Sequence, residues 1–159
     1  MKTLFLIGAL IATAFTQETY SQQTTNQPQL SQLLNSYYQV KDALIRGNAN
    51  TAATHAEAFL KTANGISNRT ISEENRNALV KDAGVISESK DLNKQREVFA
   101  NLSTNMYALA TSLKLTAEPI YYQYCPMKKS YWLSADKAIK NPYYGNAMLT
   151  CGKITETIQ

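Results

Sequence analysis

Residues 91–113, DLNKQREVFANLSTNMYALATSL, decide the fold class of this chain. Their apolar side chains recur three or four residues apart, which is the spacing of one face of an α-helix. Asp91 is suited to the N-cap, because its carboxylate can accept a backbone N–H of the first turn. The predicted apolar face consists of Leu92, Phe99, Leu102, Met106, Leu109 and Leu113. A helix of this length needs neighbours that cover its apolar face.

Three segments upstream show the same helical spacing. Pro28 is suited to the first position of helix one, and Gly47 to its left-handed C-terminal cap. Asn50 is the predicted N-cap of helix two, which closes at Gly65. Residues 70–73 have capping-box spacing and predict the start of helix three. The predicted faces are Leu30, Leu33, Leu34, Tyr37, Val40 and Leu44; Ala52, Ala56, Phe59 and Ala63; and Leu79, Ala83 and Ile86.

The four segments predict a mainly α fold, an up-down four-helix bundle over residues 30–117, because short links favour antiparallel neighbours. The pattern then changes to a short irregular or β C-terminal extension over residues 118–158. Residues 120–124 read as a strand, 141–145 as a turn and 148–158 as a second strand. Residues 30–158 are therefore interpreted as a single domain.

The N-terminal residues have the features of a signal sequence for export. Residues 1–14 combine a positive start, an apolar run and a small-residue cleavage pattern, which predicts a signal peptide cut after Ala14. Residues 15–29 are rich in Gln, Thr and Ser and are predicted to form a flexible leader. After cleavage no transmembrane segment is expected. The mature protein is predicted to be periplasmic or secreted, where two cysteines can oxidise.

Composition excludes several function classes. The chain has 159 residues and a formal net charge of +4, but only two cysteines and one histidine. This scarcity excludes a multi-disulfide scaffold, a zinc-finger array and most histidine-based catalysis. Residues 119–159 hold five lysines against two acids, which is too small an excess to predict nucleic-acid binding. With no nucleophile elbow, phosphate loop or zinc-protease motif, no enzyme is predicted.

Each cysteine has a methionine nearby, in the motifs CPM and MLTC. Thiolate and thioether sulfurs prefer Cu(I) to hard cations, so four converging sulfurs would form a soft-metal site. In an extended segment, Cys125 and Met127 would point to the same face. The candidate metal ligands are Cys125, Met127, Met148 and Cys151.

The same two thiols allow a different interpretation. A Cys125–Cys151 disulfide would close a loop of about 27 residues and stabilise by roughly 3–4 kcal/mol in the chain-entropy model. Met127 and Met148 would then be core residues. A disulfide cannot be a thiolate ligand, so the two states could alternate only under redox change.

Aromatic side chains are concentrated in the extension. They either line an interaction surface or pack the extension against the bundle, since tyrosine and tryptophan suit both roles. His55 borders the apolar face of helix two and is predicted to be partly buried. The candidate interaction surface consists of Tyr122, Tyr124, Trp132, Tyr143 and Tyr144.

The chain resembles the DUF3347 family, a domain of unknown function found in secreted bacterial proteins. The resemblance extends over residues 30–158. It rests on YQYCPM at 122–127, YWLS at 131–134, IKNPYYG at 139–145, MLTCG at 148–152, and supporting helical motifs at 34–38, 41–44 and 91–96.

The resemblance implies a helical bundle with a short extension and a link to heavy-metal efflux, because family members occur alone or joined to efflux adaptor subunits. It therefore implies a soft-metal ligand, Cu(I), and an efflux adaptor as partner. The chain departs from related patterns where Lys128, and not histidine, follows the CPM motif. Residues 75–86 also lack the histidine and methionine that many members have in helix three. The alternative is an interaction module, stapled by the disulfide and docked on an adaptor through its Tyr/Trp surface.

Overall fold

The computed structural model describes residues 23–159, so the predicted signal peptide and leader residues 15–22 lie outside the described part. Four helices pack against each other and a small three-stranded antiparallel sheet follows, as the predicted fold class requires. The elements are α1 (Gln23–Ile45), α2 (Ala49–Gly65), α3 (Glu73–Glu88), α4 (Leu92–Ser112), β1 (Ile120–Cys125), β2 (Ser130–Ser134), a 3₁₀ turn (Gly145–Ala147) and β3 (Lys153–Ile158).

The first helix begins earlier than predicted. Residues 23–29, assigned from the sequence to a flexible leader, are helical, and Pro28 lies inside α1 instead of at its first position. A proline so close to the N-terminal end removes one hydrogen bond of the helical ladder. The buried face that starts at Leu30 continues the helix beyond it.

Two of the three predicted N-caps are displaced by two residues. Asn48, not Asn50, caps α2, because its Oδ1 accepts the Thr51 N–H at 3.0 Å. Gly47 has the predicted left-handed conformation, with φ 69°, and Asn48 follows it directly.

The remaining caps lie on α3 and α4. Ser72, not Thr70, caps α3 by accepting the Asn75 N–H at 3.3 Å. The cap of α4 is Asp91 as predicted, since its Oδ1 accepts the Asn93 N–H at 2.9 Å. The capping-box spacing at 70–73 therefore marked the right region but the wrong residue.

The predicted apolar faces form the core. Consecutive helices pack in sequence order, and the predicted faces of α1, α2 and α3 are buried throughout. On α4, Phe99, Leu102, Met106 and Leu109 are buried, whereas Leu92 and Leu113 at its two ends are half-buried. Among the described residues, no helix combines the length and apolar character needed to cross a bilayer.

The sheet has the order β2-β1-β3, with both pairings antiparallel. β1 coincides with the strand predicted at 120–124, but β2 was not predicted. β3 begins only at Lys153, because the preceding residues turn through a Cys151 N–H to Met148 C=O bond of 3.1 Å. Residues 148–152 are therefore not part of the strand predicted over 148–158.

The extension shares the core of the bundle. The Tyr37 hydroxyl on α1 lies 2.7 Å from Ser103 Oγ on α4 and accepts the Leu133 N–H of β2 at 3.1 Å. The Tyr143 hydroxyl donates a hydrogen bond to the carbonyl of Tyr131, which also lies on β2. These buried bonds fix β2 against the helices and so fix the whole sheet.

Candidate thiol site

The sheet register brings the two cysteines to neighbouring strand ends. Cys125 is the last residue of β1, and Cys151 lies two residues before β3. Because Tyr124 of β1 pairs with Lys153 of β3, the chain just before β3 runs alongside the end of β1. Residues 26 positions apart in sequence thus become neighbours.

Cys125 is fully buried. It leads into the turn that joins β1 to β2, where its Sγ accepts the Lys128 N–H at 3.4 Å. This bond holds the Cys125 side chain against the backbone of the turn.

Cys151 is half-buried, and buried hydrogen bonds hold its backbone. Asn141, which is fully buried, donates its side-chain amide to the Cys151 carbonyl at 2.8 Å. The Asn141 N–H donates to the Leu149 carbonyl at 2.8 Å. Asn141 therefore fixes the segment that carries Cys151.

Gly152 allows the segment to approach the sheet closely. A Cβ at this position would lie 2.9 Å from Trp132 Cη2 and 2.9 Å from the Tyr124 carbonyl oxygen. The absence of a side chain lets the backbone next to Cys151 rest on β1 and β2.

The sheet register makes the two cysteines neighbours. Desolvation raises the pKa of the Cys151 thiol, and the charge and side-chain hydrogen bonding of Cys125 raise it further. Both cysteines are free thiols in the structure, so the disulfide considered from the sequence is not formed in it. The chemistry available is that of two neighbouring thiols, of which Cys125 is buried and Cys151 is half-buried.

The thioethers are arranged less closely than predicted. β1 ends at Cys125, so Met127 lies on the following turn and strand alternation does not place it on the same face. Its side chain is 62% exposed, which also excludes the core role of the disulfide interpretation. Met148 is half-buried at the start of the turn that ends at Cys151.

The donor set is small and soft. Within residues 23–159, no group of three or more His, Cys, Asp or Glu side chains could hold a metal ion. His55 is half-buried on α2, as predicted for a residue at the edge of an apolar face. A structural zinc site takes four N or S ligands, whereas this pair supplies two thiols, with Met127 and Met148 on the flanking turns.

Part of the predicted aromatic surface is core. Trp132 is fully buried and Tyr143 is 4% exposed, so neither belongs to an interaction surface. Tyr122, Tyr124 and Tyr144 are half-buried. The prediction failed for Trp132 and Tyr143 because the segment between β2 and β3 folds over one face of the sheet, with their rings 6.0 Å apart.

The other face of the sheet carries a continuous tyrosine stack. Tyr107 on α4 stacks on Tyr122 at 4.0 Å, Tyr122 on Tyr131 at 4.6 Å, and Tyr131 lies 4.5 Å from Tyr124. Burial raises the pKa of Tyr122 to about 12. The tyrosines therefore act mainly as packing between the extension and α4, the other role predicted for them.

Sequence reasoning missed Asn141, although a signal was present. Asn before Pro favours turn initiation, and the Asn141 Oδ1 accepts the Tyr143 N–H at 2.8 Å in an Asx turn. Gln123 gave no such signal. It is fully buried in β1 and donates to the Asp136 carbonyl at 2.8 Å, which holds the segment that covers the sheet.

A family profile described as "Protein of unknown function (DUF3347)" matches residues 33–118, just over half of the chain. The chain therefore belongs to the DUF3347 family. The match begins at Leu33 within α1, covers the rest of the helical bundle and ends before β1, so the thiol site lies outside the matched residues. No curated protein and no solved structure matches the chain.

Proposed function

We propose that this protein binds one soft metal ion, Cu(I), between the thiolates of Cys125 and Cys151, and that it has no catalytic activity. The observation that carries the proposal is the register of β1 with β3, which brings the segment of Cys151 alongside the end of β1, with both thiols free. Met127 and Met148 lie in the flanking turns and would complete the soft donor set.

The chemistry of the pair favours a soft ion of low coordination number. Thiolate and thioether sulfurs select Cu(I), while hard cations such as Mg²⁺ need oxygen ligands. The Lys128 N–H to Cys125 Sγ bond holds the buried sulfur at the end of β1, where a metal ion would bind. Two cysteines without a nearby histidine suit such an ion better than zinc.

The proposal also includes the cellular location of the protein and its partner. The N-terminal sequence favours a periplasmic or secreted protein, and the family resemblance favours a role in metal efflux or homeostasis. The partner would be a heavy-metal efflux adaptor that receives the ion. Signal cleavage is checked directly by the N-terminal mass of the exported protein, expected to begin after Ala14.

A competition titration tests the metal proposal. Reduced protein is titrated with Cu(I) against a chromogenic Cu(I) chelator, and one equivalent is expected to bind. The double variant Cys125→Ser/Cys151→Ser is expected to lose this binding, while Met127→Leu weakens it modestly because Met127 is 62% exposed. Met106→Leu, in the core, is the matched control with unchanged affinity. Equal Cu(I) affinity in wild type and double variant would contradict the proposal.

The adjacency of the thiols also supports a second candidate function, an interaction module closed by a Cys125–Cys151 disulfide. Its docking surface would be limited to Tyr122, Tyr124 and Tyr144, the members of the predicted surface that remain half-exposed. Alkylation of exported protein before denaturation, followed by mass measurement, separates the two candidates. Two alkylated cysteines exclude the permanent disulfide.

A further inference from the structure

The two thiols differ sharply in accessibility. Cys125 has no exposed surface, and its Sγ accepts the Lys128 N–H of the turn between β1 and β2. Cys151 is half-buried and is followed by β3, of which every residue except Ile158 is exposed. A disulfide in solution can therefore reach Cys151 first, and Cys125 only through Cys151.

We propose that Cys151 is a site of thiol–disulfide exchange, at which it attacks a small-molecule disulfide and Cys125 then resolves the adduct. The result is a Cys125–Cys151 disulfide that withdraws both thiolates from the metal site. The metal-dependent part of this inference rests on the proposed function, whereas the order of the two thiols does not.

The exchange balances in two steps. The Cys151 thiolate attacks one sulfur of the disulfide RSSR, whose S–S bond breaks as a thiolate RS⁻ leaves with the electron pair. The Cys125 thiolate then attacks the Cys151 sulfur of the mixed disulfide and expels the second RS⁻. Both RS⁻ take up the protons that the cysteines released. The protein loses two hydrogens and one RSSR is reduced to two RSH.

Two hydrogen bonds hold the segments that carry the two cysteines. The Lys128 N–H donates to Cys125 Sγ at 3.4 Å and holds the resolving sulfur at the end of β1. Asn141 holds the Cys151 carbonyl at 2.8 Å and keeps the mixed disulfide next to Cys125. The pairing of Tyr124 with Lys153 brings the segment that carries Cys151 alongside the end of β1, so the resolving cysteine lies on the neighbouring chain segment.

The test exposes reduced, metal-free protein to 2-hydroxyethyl disulfide, a neutral reagent that the lysines of the extension do not attract. Samples are quenched with acid, and the intact mass of the protein is measured by mass spectrometry. Wild type is expected to lose two hydrogens without accumulating an adduct. Cys125→Ser is expected to keep a stable adduct at Cys151, and Cys151→Ser to react at least about tenfold more slowly.

Two outcomes overturn the assignment. One is an adduct on Cys151→Ser that forms as fast as that on Cys125→Ser, and the other is a wild-type adduct that never closes. Far-UV circular dichroism confirms the fold of each variant, and Cys125→Ala replaces Cys125→Ser if the buried hydroxyl disrupts it. Protein preloaded with one Cu(I) is expected to exchange more slowly. If metal-free exchange follows the proposed order but Cu(I) gives no protection, the metal proposal fails and the exchange assignment stands.

Discussion

At the scale of single residues, Gly152 shows how little space separates the thiol site from the sheet. Its missing side chain is what allows contact with Trp132 and with the Tyr124 carbonyl. The backbone oxygen cannot move aside as a flexible side chain could. A larger residue here must displace the neighbouring Cys151.

Gly152→Ala is therefore expected to destabilise the protein by about 1–3 kcal/mol and to weaken Cu(I) binding. Urea denaturation and the chelator titration measure the two effects. The matched control is Gly84→Ala, at a helical position where a Cβ would meet nothing within 4 Å. That variant is expected to gain about 0.5–1 kcal/mol, as alanine does in helix interiors. Equal effects of the two substitutions would contradict the close approach.

Asp82 is a second residue whose environment decides its chemistry. Only 8% of it is exposed, at a cavity of about 320 Å³ between α3 and α4, and its Oδ2 accepts a bond from Asn105 Nδ2 at 2.8 Å. Desolvation raises the pKa of the Asp82 carboxyl above its usual 3.8, although the Asn105 bond and Lys81 oppose the shift. The folded state therefore holds the proton more tightly than the unfolded chain.

This sign predicts a pH-dependent effect of Asp82→Asn. A raised folded-state pKa gives stability that is present below the unfolded-state pKa and lost as pH rises through the folded-state pKa. Asp82→Asn is thus expected to be more stable than wild type at pH 7, and the difference is expected to narrow as pH falls toward 4. Urea midpoints at several pH values measure it. A difference that is independent of pH would contradict the desolvation argument.

At the scale of elements, tyrosine hydroxyls close the outer edge of β2. The Leu133 N–H donates to the Tyr37 hydroxyl, and the Tyr131 carbonyl accepts from Tyr143. These groups would otherwise be unpaired strand-edge groups next to an apolar core. The extension is attached to the bundle by hydrogen bonds as well as by packing.

Tyr37→Phe is expected to cost about 1–3 kcal/mol of unfolding free energy, because it leaves the buried Leu133 N–H and Ser103 hydroxyl without this partner. Chemical denaturation measures the loss. Tyr107→Phe is the matched control, since it removes an exposed bond to Glu156 and preserves the stack on Tyr122. Its expected cost is below about 0.5 kcal/mol. A similar loss in both variants would show that the buried bonds add nothing.

The elements also show what sequence reasoning could reach. Helical periodicity depends on neighbours three and four residues apart, so the buried faces of α1, α2 and α3 were predictable. The caps at Asn48 and Ser72 were displaced because several polar residues compete for the role within two positions. β2 was missed because its five residues lack the alternating burial of a half-exposed strand, and its pairing with β1 identifies it.

At the scale of the whole molecule, the bundle and the extension form one core. Phe99 of α4 stacks on Tyr37 at 5.1 Å and lies 6.1 Å from Tyr143 of the extension. Trp132, the only tryptophan, is fully buried within the extension and reports on its docking. The family profile matches residues only up to 118, whereas the hydrophobic core continues from the helices into the extension.

A shared core predicts a single cooperative unfolding transition. Tryptophan fluorescence, which follows the extension, and far-UV circular dichroism, which follows mainly the helices, are expected to give the same urea midpoint. An earlier fluorescence transition would indicate that the extension undocks from a stable bundle. Tyr37→Phe is the informative variant, because weakened docking would separate the two midpoints first.

The sequence by itself determined the four helices, their buried faces and the concentration of soft sulfur in the extension. These features follow from local periodicity and composition. Only the tertiary structure decided that Trp132 and Tyr143 are core, that Met127 is exposed and that the segment of Cys151 runs alongside the end of β1 next to Cys125. The two cysteines become neighbours because β1 pairs directly with β3, although β2 and a folded segment separate the two strands in sequence. That pairing joins residues far apart in sequence and depends on how the whole chain packs. The spacing of the two cysteines in the sequence therefore does not predict it.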